Sequence, residues 1–76
     1  MTLNPILEAL QILDEEISFE EADLQVSLIR IEQLKNEILL DQQTKSNYIK
    51  TFEEKVVSSK IRIMEIKAKK ALITIA

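Results

Sequence analysis

Cysteine, histidine and glycine are all absent from this chain of 76 residues, and proline occurs once. Without cysteine no disulfide can form. Without cysteine and histidine the chain lacks the usual zinc and haem ligands and the Ser/His and Cys/His nucleophile pairs. Without glycine it lacks the loops whose backbone closely approaches a phosphate group. We therefore expect a protein that is not an enzyme and that binds neither a cofactor nor a metal.

Membrane and export signals are also lacking. The opening residues carry no basic group and Glu8 interrupts their apolar run, which is not the pattern of a signal peptide. No charge-free stretch approaches the ~18 residues that a membrane span requires. The expected location is the cytoplasm, with no membrane as partner.

What the chain does contain is typical of long helices and coiled coils, because Leu, Ile, Glu, Lys, Gln and Ala dominate it. Asn4 followed by Pro5 predicts a helix N-cap with proline at the first helical position. Four apolar residues then recur at helical spacing and predict a short helix over residues 5–17: Ile6, Leu10, Leu13 and Ile17. Ser18 and Glu21 form a capping-box pattern, which predicts a new helix start near residue 18.

From residue 24 onward a long heptad seam is predicted, whose members follow one another at alternating steps of four and three. Its members are Leu24, Leu28, Ile31, Lys35, Ile38, Gln42, Lys45, Ile49, Phe52, Val56, Ser59, Ile63, Ile66, Lys70 and Ile73. The polar run DQQTKSN at 41–47 interrupts its apolar character. Either this run is the loop of a hairpin with arms 18–41 and 47–73, or the helix continues through it, since Gln and Lys are good helix formers.

Charge favours the hairpin. Residues 1–38 carry nine acidic and two basic residues, whereas residues 39–76 carry four acidic and eight basic ones. Folding the acidic arm against the basic arm relieves the repulsion between like charges. The same distribution would also complement the dipole of one long helix, so it leaves both alternatives open.

A second apolar stripe lies on the face of each arm opposite the seam. A helix that is apolar on two sides needs neighbours on both, and a lone hairpin would leave this stripe in water. We therefore predict a protein interface there, formed with a second copy in a dimer or tetramer or, alternatively, with a different protein. The predicted interface residues are Val57, Ile61, Met64, Ala68, Leu72, Val26 and Ile29.

Two charged clusters suggest other sites, and both hypotheses are weaker. The acidic cluster over residues 14–23 lacks the glycine and the alternating oxygen ligands of a calcium loop. The basic cluster Lys60, Arg62, Lys67, Lys69 and Lys70 could contact phosphates, but the chain is acidic overall, with a pI near 4.9. Its three aromatic residues do not alternate with these bases, so nucleic acid is not the expected partner.

The segment from Lys45 to Ala71 resembles a family of small coiled-coil proteins found in siphoviruses that infect lactic-acid bacteria. Members of this protein family have been linked to phage resistance. The residues that carry the resemblance are Asn47-Tyr48-Ile49-Lys50, the pair Glu53 and Glu54, Glu65-Ile66-Lys67 and Lys69-Lys70. The resemblance implies a phage or prophage accessory protein without enzymatic activity, located in the host cell cytoplasm. It brings no active site with it.

Together these patterns predict an all-α protein: a short N-terminal helix plus a long antiparallel, coiled-coil-like helical hairpin, assembling into a helical bundle. The predicted function is protein–protein interaction with a structural or assembly role. The alternative is a small inhibitor or adaptor that binds one host or viral protein through its exposed apolar stripe. A phage could encode such a protein.

Overall fold

The computed structural model describes residues 4–75. Two helices, α1 (Pro5–Lys35) and α2 (Gln42–Ile75), are joined by a turn over residues 36–41 and pack against each other as an antiparallel hairpin. The hairpin is elongated and thin, with extents of 59 × 22 × 12 Å. The predicted all-α hairpin is confirmed, and the alternative of one long helix without a turn is wrong.

Helix α1 begins where the sequence predicts. Asn4 has an extended backbone, and its side-chain Oδ1 accepts a hydrogen bond from the Ile6 N–H at 2.9 Å. Pro5 occupies the first helical position, where its missing N–H costs nothing. The prediction of Asn4 as N-cap and Pro5 as the first helical residue is therefore confirmed.

The predicted restart near residue 18 is wrong, because α1 runs without a break from Pro5 to Lys35. There is accordingly no separate short helix over 5–17 and no first arm that begins at 18. A capping box stabilises N–H groups that have no carbonyl one turn earlier. Since the turn before Ser18 is helical, those carbonyls are present, and Ser18 lies exposed on the helix surface.

The turn lies earlier than predicted. It occupies residues 36–41, while most of the polar run 41–47 forms the start of α2. The cause is Asp41, which caps α2: its Oδ1 accepts from the Thr44 N–H at 2.8 Å and its Oδ2 from the Thr44 hydroxyl at 2.9 Å. These hydrogen bonds to the ionised carboxylate lower the pKa of Asp41, with the backbone N–H of Thr44 as the largest cause.

The seam of α2 is confirmed from Lys45 onward, whereas that of α1 is shifted. Val56, Ser59, Ile63 and Ile66 are buried and Lys45, Ile49, Phe52, Lys70 and Ile73 are half-buried, all at the predicted heptad positions. In α1 the seam extends through the whole helix. Its buried and half-buried members are Leu10, Leu13, Ile17, Glu20, Leu24, Ser27, Ile31 and Leu34.

Three predicted seam positions before α2 are therefore wrong. Leu28 and Lys35 are exposed on the helix surface, and Ile38 lies in the turn with 89% of its surface exposed. The true seam steps from Leu24 to Ser27, a small polar residue that a search for apolar residues passes over. Gln42, at the start of α2, is exposed as well.

Between residues 4 and 75, neither helix has a stretch long and apolar enough to cross a membrane.

Replacing Ser18 tests the continuity of α1. In a helix interior Ser18→Ala should raise the free energy of unfolding slightly, by up to ~0.5 kcal/mol, because alanine is the better helix former. At an N-cap the same change would cost about 1 kcal/mol. Asn4→Ala at the observed cap is the matched control and should destabilise the protein. Thermal unfolding followed by circular dichroism decides between the two, and a loss of stability in Ser18→Ala contradicts the continuous helix.

Replacing Asp41 tests the cap of α2. Asp41→Ala should lower stability and remove helical signal at the start of α2, while Asp41→Asn should keep most of both, because asparagine is also a good N-cap. Since the pKa of Asp41 is lowered on folding, the stabilisation by its charge is present above the ordinary carboxyl pKa. It is lost as the pH falls through the lowered folded value. The stability difference between wild type and Asp41→Asn should therefore disappear in acid, and a difference that persists there contradicts this account.

Candidate interaction surface

The hairpin exposes far more apolar side chain than it buries. Within residues 4–75 the buried apolar residues are Ile31, Val56, Ile63 and Ile66. No side chain in that range is fully buried. The exposed large apolar residues are Ile6, Leu7, Ile12, Phe19, Val26, Leu28, Ile29, Ile38, Leu39, Tyr48, Val57, Ile61, Met64, Leu72 and Ile75. Exposed apolar residues are ordinary when scattered, but a set this large relative to the core is typical of an interaction surface.

All seven predicted interface residues lie on the exposed surface. Six of them have between 49% and 70% of their surface in solvent, and Ala68 is exposed as well. They do not form one patch. Val26 and Leu72 border grooves between the helices on one long face of the hairpin, whereas Met64 borders a groove on the opposite face.

We call the long face that carries Val26 and Leu72 the groove face. Three open grooves follow one another along it from the free ends of the helices to the turn. The residues that flank the seam in these grooves are spaced by seven or fourteen along each helix, so they lie on the same side of it. They are Ala9, Asp23 and Arg30 on α1, and Tyr48, Lys55, Arg62 and Lys69 on α2, while Glu37 of the turn borders the groove next to it.

The groove face is most apolar at its two ends, although Lys69 borders the groove at one end and Arg30 and Glu37 border the groove at the other, and it is most charged in the middle. Next to the free ends, Ile12, Leu13, Leu72 and Ile73 line one groove together with Ala9. Next to the turn, the apolar lining is Leu34, Leu40, Tyr48 and Phe52. Between them Val26 and Phe52 lie beside Asp23, Lys55 and Arg62, and the Lys55 Nζ sits 5.1 Å from the centre of the Phe52 ring.

The opposite face also carries charged residues around its apolar ones. One groove there is lined by Leu24, Ile63 and Met64, and its borders include Glu21, Lys60 and Lys67. Because these three charged residues flank the seam on the side away from Asp23 and Arg62, the two faces are distinct surfaces.

Two ion pairs join the acidic helix to the basic helix. Arg62 Nε lies 2.8 Å from Glu20 Oε1, and Lys70 Nζ lies 2.6 Å from Asp14 Oδ1. The Glu20 side chain is only 18% exposed because it occupies a seam position, whereas the Asp14 side chain is 55% exposed. The expectation that the acidic arm folds against the basic arm is therefore confirmed.

The charged clusters predicted from the sequence are divided by the fold. Arg62 and Lys70 of the basic cluster pair with acids of α1, Lys69 lies on the groove face, and Lys60 and Lys67 lie on the opposite face. No phosphate-binding patch with all five bases results. In the acidic cluster, likewise, no three carboxylates within residues 4–75 come together as a metal site.

The most exposed apolar pair was not among the predicted interface residues. Ile38 and Leu39, in the turn, are each 89% exposed. The sequence signal that could have located them is Asp41 followed three residues later by Thr44, since an Asp N-cap there ends the turn and leaves 38–39 at its tip.

Comparisons with known proteins identify no relative: no protein-family model, no curated protein sequence and no solved structure matches this chain.

The ion pair between Glu20 and Arg62 can be tested by exchanging its charges. Glu20→Lys should lower the thermal stability, because it places a cation beside Arg62 at a half-buried position. The double variant Glu20→Lys with Arg62→Glu should recover part of that loss. The same exchange at Asp14 and Lys70 is the matched control, and its coupling should lie within the ~0–1 kcal/mol of exposed pairs. Equal effects of both exchanges would contradict a special contribution of the half-buried Glu20.

Proposed function

We propose that this chain is a non-enzymatic assembly module whose hairpin binds a second copy of itself to form a four-helix bundle. The observation that carries the proposal is the distribution of apolar surface. Four aliphatic side chains are buried within residues 4–75, while large apolar residues are exposed along both helices.

The thinness of the molecule supports this function. A chain of this size without disulfides has a small core, and it commonly gains stability by association. Two of the seam positions, one in each helix, are buried serines, Ser27 and Ser59, which contribute little hydrophobic stabilisation. A second hairpin laid on the first would bury the exposed aliphatic residues and would turn two helices into the usual bundle of four.

The proposed location of the interface follows the seven residues predicted from the sequence. Leu72 and Val26 border the groove face and Met64 borders the opposite face, so a bundle can form on either face and a tetramer could use both. Val57 lies seven residues before Met64 and therefore on the same side of α2, whereas Ile29, Ile61 and Ala68 are exposed on the outer surfaces of the two helices.

The test is the mass of the protein in solution, measured by light scattering across a dilution series with circular dichroism on the same samples. Wild type should be a dimer or tetramer that loses helical signal when dilution dissociates it. The double variant Met64→Glu with Leu72→Glu should be monomeric, because both faces then carry a charge that is costly to bury.

The control variant is Gln43→Glu with Ser46→Glu, which adds the same charge at two exposed polar positions of α2. It should keep the mass of wild type. A wild-type monomer at every concentration contradicts the proposed function, and so does an unchanged mass of the Met64→Glu, Leu72→Glu variant.

A second candidate function is that of a small inhibitor or adaptor that binds a different protein. It is favoured by the turn, where Ile38 and Leu39 are 89% exposed beyond the end of the seam. A bundle aligned along the helices would not cover this tip. Capture of a host protein that is lost in Ile38→Ser with Leu39→Ser, but retained in the Met64→Glu, Leu72→Glu variant, would support this candidate. The resemblance to phage coiled-coil proteins remains a prediction, and it is compatible with both functions.

A further inference from the structure

The two helices carry opposite net charges, and this restricts how two copies can pack. Helix α1 (Pro5–Lys35) contains eight acidic and two basic residues, a net charge of −6, whereas α2 (Gln42–Ile75) contains three acidic and eight basic residues, a net charge of +5. When two hairpins pack face to face with their helices aligned, each α1 lies against either the α1 or the α2 of the other copy. The following inference rests on the proposed self-association.

We propose that two copies pack groove face to groove face about a two-fold axis that runs along the hairpin. The α1 helix of each copy then lies on the α2 helix of the other, and both turns are at the same end of the bundle. In this arrangement every pair of adjacent helices is antiparallel, so that the helix dipoles also oppose each other. Closed two-fold dimers are the commonest form of homo-oligomer.

The positions of the groove-face residues along the length of the hairpin agree with this axis. A rotation about the long axis moves no residue along it, so residues that line the same groove within one copy are also level with each other between copies. Ile12 lies level with Leu72, and Asp23 lies level with Arg62. The dimer therefore places aliphatic residues opposite aliphatic residues near the free ends, and acid opposite base in the middle.

The other two-fold arrangement of the same faces has its axis across the hairpin. It places α1 on α1 and α2 on α2, with the turns at opposite ends, so that the acidic helices of the two copies face each other and the basic helices face each other. Like charges brought together across an interface disfavour an arrangement and thereby determine orientation. The charge distribution thus selects the axis along the hairpin.

The groove face is the surface that this dimer uses because its apolar lining continues along the length of the hairpin. Ile12 and Leu72 lie near the free ends, Val26 and Phe52 in the middle, and Leu34 and Tyr48 near the turn. On the opposite face Met64 lines one groove together with Leu24 and Ile63, and Glu21, Lys60 and Lys67 border it. Leu72→Glu alone should therefore dissociate the dimer, whereas Met64→Glu alone should leave it intact.

The orientation can be measured directly, because the chain has no cysteine and one introduced thiol is the sole attachment point for a spin label. Ser46 is exposed near the turn and Gln11 is exposed near the free ends. In the proposed dimer two labels at Ser46→Cys are separated by the width of a four-helix bundle, about 20–35 Å. With the turns at opposite ends the separation approaches the 59 Å length of the hairpin.

Pulsed dipolar spectroscopy on Ser46→Cys, on Gln11→Cys and on a mixture of the two distinguishes the arrangements. The proposed dimer gives short distances for each variant alone and adds a long one in the mixture. Long distances for each variant alone, with a short one in the mixture, overturn the proposed axis but leave self-association standing. A monomeric mass of the labelled proteins, whose helicity circular dichroism verifies, overturns the proposed function together with this inference. A dimer dissociated by Met64→Glu rather than Leu72→Glu overturns the choice of face.

Discussion

The packing of α1 on α2 along one heptad seam is the contact on which the rest of the structure depends. Its buried members are Ile31, Val56, Ile63 and Ile66, together with the serines Ser27 and Ser59. Helices of 31 and 34 residues thus meet over a row of side chains only one layer deep. Because most helical stability in proteins comes from burying an apolar face, a seam this narrow makes additional contacts valuable, and the exposed residues can provide them.

Electrostatic interactions between the two helices influence how they are oriented in this contact. The ion pairs of Arg62 with Glu20 and of Lys70 with Asp14 align the basic helix with the acidic one. Pairs of this kind contribute little free energy when they are exposed to solvent. Their effect is on orientation, because the separation of charge between the helices favours acid-on-base packing within the hairpin, and the proposed dimer rests on the same preference.

The prediction from sequence succeeded where one strong pattern acts alone. Ile49, Phe52, Val56, Ile63 and Ile66 follow the heptad so closely that the seam of α2 could be identified before its partner was known. Prediction failed where a local signal competed with a longer one. The capping-box pattern at Ser18 is a short-range preference, and the continuous apolar period of α1 overrides it.

The turn shows the converse case, in which a local signal prevailed. The polar run after Leu40 is typical of a loop, yet the Asp41 carboxylate caps the N–H of Thr44 and makes the run helical. The apolar residues Ile38 and Leu39 are left at the tip in consequence. A preference based on polarity alone cannot detect this, because the hydrogen bond depends on the spacing of two particular residues.

The sequence by itself determined the class of the fold, the hairpin's charge asymmetry, the cap at Asn4 and the seam of α2, since these depend on local propensity and on the period of apolar residues within one helix. The tertiary structure decided which α1 residues face that seam, where the chain turns and how the seven predicted interface residues are divided between surfaces. Each of these depends on the position of one helix relative to the other. A period within one helix gives the direction of its apolar face, but the neighbour that covers that face is established only when the second helix is in place.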